Sequence, residues 1–109
     1  MSSVNLTLKI GAIRVPVLTE PLTGDEADEV VLGEYSAGPN PVIRLHPALK
    51  GSELSATLLH EILHAIADLY GLDDVLKERE VRILEMAISA FVQDNPKAIS
   101  QILGDLVQS

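Results

Sequence analysis

The chain reads as an α+β protein: a small three- or four-stranded, mostly antiparallel sheet, then a helix bearing His60-Glu61-Ile62-Leu63-His64 and two further helices. Three observations predict this. Apolar and polar residues alternate near the start, the period of a half-buried strand. Gly, Pro and Asn clusters punctuate the chain as far as residue 51. Beyond residue 53 the apolar spacing changes to three and four, the period of a helix. Strands gathered before helices, rather than alternating with them, indicate α+β. With 109 residues and no internal repeat or linker, the whole of 1–109 is expected to be one domain.

Residues 4–10 set Val4, Leu6, Leu8 and Ile10 against Asn5, Thr7 and Lys9, a first strand. Gly11-Ala12 turns the chain into a second over 13–18, where Pro16 predicts a sheet edge because proline has no N–H to donate. Residues 21–29, rich in acids, read as a surface loop or a short helical turn. A third strand is expected over 30–36 and a fourth over 41–46, joined by the turn chemistry of Ala37-Gly38-Pro39-Asn40. Ser52 is a plausible N-cap for a helix over 53–70, closed by Gly71. Asp73 or Asp74 can cap a second helix running from about 75 to 94. Asn95-Pro96 then has the N-cap and N1 signature of a third, with Ile99, Ile102, Leu103 and Leu106 on one face.

On the helix over 53–70, residues placed at 100° intervals fall into two arcs. Leu58, Leu59, Ile62, Leu63, Ala65, Ile66, Leu69 and Tyr70 share the packed arc; His60, His64, Thr57, Glu61 and Asp68 share the other. Histidines four apart project from one face, one turn above the other, so two imidazoles can grip one ion. Cysteine is absent, which leaves only His, Asp and Glu as metal ligands. Zn2+ is the expected ion, and the H-E-x-x-H pattern puts Glu61 beside the water it would activate.

A catalytic zinc usually takes three protein ligands and keeps a place for water. In the helix over 75–94, Leu76, Val81, Leu84, Ala87, Ile88 and Phe91 form an apolar face with Glu80 in its middle, while Glu78, Arg82, Glu85 and Ser89 fall on the outer side. A carboxylate inside a buried stripe needs a partner, which makes Glu80 the expected third ligand. Asp68, Glu78 and Glu85 are the alternatives, Asp68 also as an acceptor for a histidine N–H. His46 reads as a surface residue before Pro47. Tyr35, Tyr70 and Arg44 are the candidate groups for stabilising an oxyanion, with Tyr70 expected in the core. The strand over 42–46 is expected to offer a free edge to an extended peptide.

A net charge of −8 argues against nucleic acid, which needs clustered Lys and Arg. No stretch approaches the roughly 20 apolar residues of a membrane span. Met1-Ser2-Ser3 lacks the basic and apolar regions of a signal peptide, so the expected location is the cytoplasm.

Val42-Ile43-Arg44-Leu45, then Thr57-Leu58-Leu59-His60-Glu61-Ile62-Leu63-His64-Ala65, resembles a minimal zincin. The chain is similar over about residues 30–95 to ImmA/IrrE-type and SprT-like metallopeptidase domains, especially small bacteriophage versions. Glu80-Val81-Arg82 stands where ImmA/IrrE-like domains carry Glu-Ala-Asn, whose Glu is a zinc ligand. The resemblance implies a zincin-like fold, zinc, and hydrolysis of peptide bonds in a protein or peptide substrate, with His60, His64 and Glu80 holding the metal and Glu61 as general base. The competing expectations are a non-catalytic, zinc-stabilised regulatory or partner-binding module, and a phage assembly factor that binds through its helices.

Overall fold

The computed structural model describes residues 6–22 and 32–108. In order these form β1 (Leu6–Ile10), β2 (Ile13–Thr19), β3 (Gly33–Ser36), β4 (Val42–Leu45), α1 (Gly51–Leu69), α2 (Glu78–Asp94) and α3 (Pro96–Gln108). The α+β layout of four strands and three helices follows the expected order. Val4, Val30, Val31 and the acids of 25–29 lie outside the described residues.

The sheet is mixed, in the order β1-β2-β4-β3. β1 pairs antiparallel with β2, β2 parallel with β4, and β3 antiparallel with β4. Two expectations change. β4 lies between β2 and β3, so the strand expected to have a free edge has none; among the described residues, β3 is the edge strand on that side. Pro16 sits on the inner strand β2 rather than at an edge. Counting from the Ile10–Ile13 pair that closes the hairpin, Thr7–Pro16 is a non-hydrogen-bonded pair. The missing N–H therefore points toward the β4 side, where the ladder begins only at Val17.

One face of the sheet carries Ile10, Val15, Val17, Ile43 and Leu45, which join Leu49 and Ala65 in the core. α1 covers this face with Leu54, Leu58, Ile62, Ile66 and Leu69. The other face holds a polar group instead: Arg44 donates to Glu20 at 2.8 Å, Ser36 at 3.2 Å and Glu34 at 3.4 Å.

α1 starts at Gly51 with Lys50 as N-cap, so Ser52 falls inside the first turn and caps nothing. Its end matches the expectation at Gly71, where φ is +73°. The Gly71 N–H donates to the Asp68 carbonyl and the Leu72 N–H to that of Ala67, the pair of hydrogen bonds that defines a Schellman motif. Tyr70, expected in the core, is the C-cap and is 59% exposed.

α2 begins at Glu78, later than expected, because Leu72 to Lys77 are used to reverse the chain. The Val75 and Leu76 N–H groups both bond back to the Leu72 carbonyl. Reversal lets α2 run back along α1, but with a different side inward than its apolar pattern suggests. Val81 is fully buried, whereas Phe91 is 49% exposed and Ile88 is also exposed. The contact uses the edge of the apolar stripe, so the flank with Glu78 and Glu85 turns toward α1. That rotation decides the composition of the site.

Candidate metal centre

α1 has three kinds of neighbour around its circumference. Its apolar side meets the sheet; Leu63 and Ala67, both buried, lie on the flank toward α2; Thr57, Glu61 and Asp68 lie toward β3. His60 and His64 fall between the last two. They open into a cleft of about 630 Å³ walled by Leu32, Gly33, Glu34 and Tyr35 on one side and Glu78, Arg82 and Glu85 on the other.

Gly33 lets β3 approach α1 this closely. A Cβ there would stand 2.7 Å from Thr57 Cγ2 and 3.3 Å from Glu61 Cγ, so any side chain would push the strand off the helix. Glu61 is thereby packed to 7% exposure on the cleft wall. Burial raises its pKa above the ordinary carboxylate value, against the pull of His60 and His64.

Three donor atoms converge at the cleft floor. His64 Nε2 lies 2.8 Å from Glu78 Oε1, His60 Nε2 lies 3.2 Å from the same oxygen, and the two Nε2 atoms are 3.3 Å apart. Ligands held at 2.0–2.2 Å around a tetrahedral ion stand roughly 3.3 Å from one another, so His60, His64 and Glu78 could hold a metal ion with little adjustment. The supporting contacts suit that role. Glu85 Oε1 lies 2.9 Å from His60 Nδ1 and is placed to accept its proton, which leaves Nε2 with a lone pair toward the cleft. Arg82 Nε donates to Glu78 Oε2 at 2.7 Å and keeps Oε1 aimed at the histidines.

The charges respond to one another. Burial draws the His60 imidazole pKa down, but the Glu85 hydrogen bond and the nearby Glu78 and Glu61 outweigh it and raise the value overall. Partial burial pushes Glu78 up, yet hydrogen bonds with Arg82 and His64 and the adjacent His60 bring it down to about 2.

Glu80, the expected third ligand, is directed elsewhere. It is the N3 residue of α2, and its Oε1 accepts the Lys77 backbone N–H at 3.1 Å, with Arg79 Nη1 3.5 Å from Oε2. Its need for a partner is met by the helix terminus rather than by an ion. Glu78, one of the alternatives, takes the place beside the histidines, and Glu85 stands behind His60. Asp68 accepts from the Tyr35 hydroxyl at 2.7 Å and from neither histidine. Burial, then that hydrogen bond and the Asp68 charge, raise the Tyr35 pKa. His46 lies outside the cleft, its Nδ1 accepting the Ala48 N–H. Arg44 serves the opposite face of the sheet, and Tyr70 lies over Gly11.

The sequence did carry a signal for the carboxylate that meets the histidines. Glu78, Arg82, Glu85 and Ser89 recur at helical spacing, a polar stripe that can face the polar stripe of α1. Protein-family models, curated proteins and solved structures contain no match to this chain.

Proposed function

We propose that the protein is a zinc-dependent metallopeptidase of zincin type, with His60, His64 and Glu78 as the metal ligands and Glu61 as the general base. The observation that carries this reading is the convergence of two Nε2 atoms and one carboxylate oxygen beside a buried glutamate, in a cleft that opens along a strand edge. When bound there, zinc supplies Lewis acidity, polarising a carbonyl and lowering the pKa of a water to about 7.

The chain's own residues do the rest. Glu61 takes the proton of the attacking water on its carboxylate and returns it to the leaving amine. In the metal-free protein, burial holds its pKa above the ordinary carboxylate value. Glu85 fixes the His60 tautomer and Arg82 fixes the Glu78 carboxylate. The outer edge of β3, which lines the cleft through Gly33, Glu34 and Tyr35, receives an extended segment of a protein or peptide substrate by main-chain hydrogen bonds.

The second reading is a non-catalytic module that keeps its metal for stability. It is favoured by the engagement of the candidate oxyanion donors: Tyr35 is given to Asp68, and Arg44 to Glu20, Glu34 and Ser36. One experiment separates the two. Zinc-loaded parent and Glu61→Gln proteins are incubated with an unfolded protein substrate, with metal content measured for both. The peptidase reading expects equal zinc and cleavage by the parent alone. Equal cleavage by both, or no zinc in either, would defeat it.

A further inference from the structure

α3 is an amphipathic helix with little to pack against. Ile99, Ile102, Leu103, Leu106 and Val107 recur at i, i+3, i+4, i+7 and i+8, the anchor pattern of a helix made to lie in a groove. None of its described residues is buried; Leu103 is 55% and Val107 81% exposed. α2 is its only substantial neighbour among the described residues.

The same chain has a groove of the matching kind. Between the N-terminal half of α1 and the C-terminal half of α2 runs a depression of about 940 Å³, lined by Ala56, Leu59, Met86, Ala90 and Val92 and also by Glu53 and Glu85. Small residues on its walls leave room for a helix. α3 of the same chain does not occupy it, and the connection explains why. Asn95 alone separates α2 from α3, whereas an antiparallel return of one helix onto its predecessor takes about two to eight residues.

Charge and apolar surface bear on which molecule can fill the groove. From residue 86 to the end the sequence carries only Asp94, Lys97 and Asp105, a net −1, although the whole chain carries −8. α3 itself carries Lys97 and Asp105 and is neutral, so Glu53 and Glu85 on the groove wall meet no net like charge when the α3 of a second copy lies over them. Each copy offers the exposed Ile102, Leu103, Leu106 and Val107 of α3 and the Met86, Ile88 and Val92 of its groove, an apolar centre of the kind that stable interfaces bury. Short hinges between helices also favour exchange of an element between copies.

We infer that two copies of this chain form a dimer by reciprocal exchange of α3, each α3 lying in the α1–α2 groove of the other copy. The inference is independent of whether the metal centre is catalytic.

Sedimentation equilibrium of the full chain tests it. The parent is expected at twice 11.7 kDa. Leu103→Glu on the inserted helix and Ala90→Arg on the groove wall are each expected to return the mass to 11.7 kDa. Both positions are exposed, so circular dichroism should report an intact fold. Leu6→Glu, exposed on β1 and far from the groove, should leave the dimer in place. Insertion of Gly-Gly after Asn95 lets α3 fold onto its own groove and should also yield monomer. A monomeric parent, as when a different protein is the true occupant, overturns the inference. So does a dimer that survives both surface variants, one that Leu6→Glu dissociates, or one that the longer hinge leaves unchanged.

Discussion

Replacing Gly33 by alanine tests whether β3 and the cleft wall are held together as described. At an unconstrained strand position the change would stabilise the protein by about 0.4–1 kcal/mol, because alanine loses less backbone entropy on folding. Here the new Cβ would stand 2.7 Å from Thr57 Cγ2, inside any real carbon–carbon contact, and 3.3 Å from Glu61 Cγ. Overpacking of this kind costs about 1–3 kcal/mol. Unfolding entropy of about 2.1 cal/mol/K per residue makes each kcal/mol worth about 4 °C in a chain of this length. Gly33→Ala is therefore expected to lower Tm by about 4–13 °C rather than raise it by ~2–4 °C. The double variant Gly33→Ala/Thr57→Ser removes the offending methyl and should recover most of the loss, with a coupling of about 0.5–3 kcal/mol. Differential scanning calorimetry of the parent, both single variants and the double variant reads all of this. A rise in Tm for Gly33→Ala, or no coupling with Thr57→Ser, would refute the close approach of β3 to α1.

The other predictions concern the metal centre. Glu78→Ala should weaken zinc binding by ~100-fold or more, while Glu80→Ala should leave it intact and cost about 0.3–1.5 kcal/mol of stability through the lost cap; competition titration with a chromophoric chelator compares them, and the reverse pattern restores Glu80 as ligand. Glu85→Ala leaves the three ligands in place but frees the His60 ring, and a ~10–100-fold loss of zinc affinity is expected in the same assay; an unchanged affinity would mean that Glu85 only pairs with His60 when the metal is absent. In the metal-free protein, Glu78 ionises at about 2 instead of 4.5, so its contribution is present above pH 4.5 and lost as pH falls toward 2. His60 has its pKa raised above 6.5, so its contribution is complete below 6.5 and lost as pH rises through the raised value. The stability difference between the metal-free parent and Glu78→Gln should thus peak between pH 4.5 and 6.5, at no more than about 1 kcal/mol because Glu78 is half exposed; a flat difference in urea unfolding from pH 3 to 8 would contradict the pairing.

Local features were legible where a short-range rule governs them. The hairpin at Gly11-Ala12, the long helix with His60 and His64 on one side, its stop at Gly71 and the break at Asn95-Pro96 all follow from periodicity and turn chemistry within a few residues. Errors arose where a residue's role depends on a distant neighbour. Pro16 suggests an edge by itself, yet an inner strand accepts it because the β4 ladder starts one residue later. Glu80 on an apolar stripe suggests a cation, yet the start of its own helix satisfies it.

What the sequence alone determined is therefore the order of elements and the pairing of His60 with His64, since four residues on a helix place two side chains together whatever surrounds them. The third member of the cluster was decided by tertiary structure. Glu78 and Glu80 lie two positions apart and so point to different sides of α2, and only the rotation of α2 against α1 selects between them. That rotation is set by how Val81 packs against α1 and by the turn from Leu72 to Lys77. Neither is written in the apolar pattern of α2, whose stripe is wider than the contact it makes.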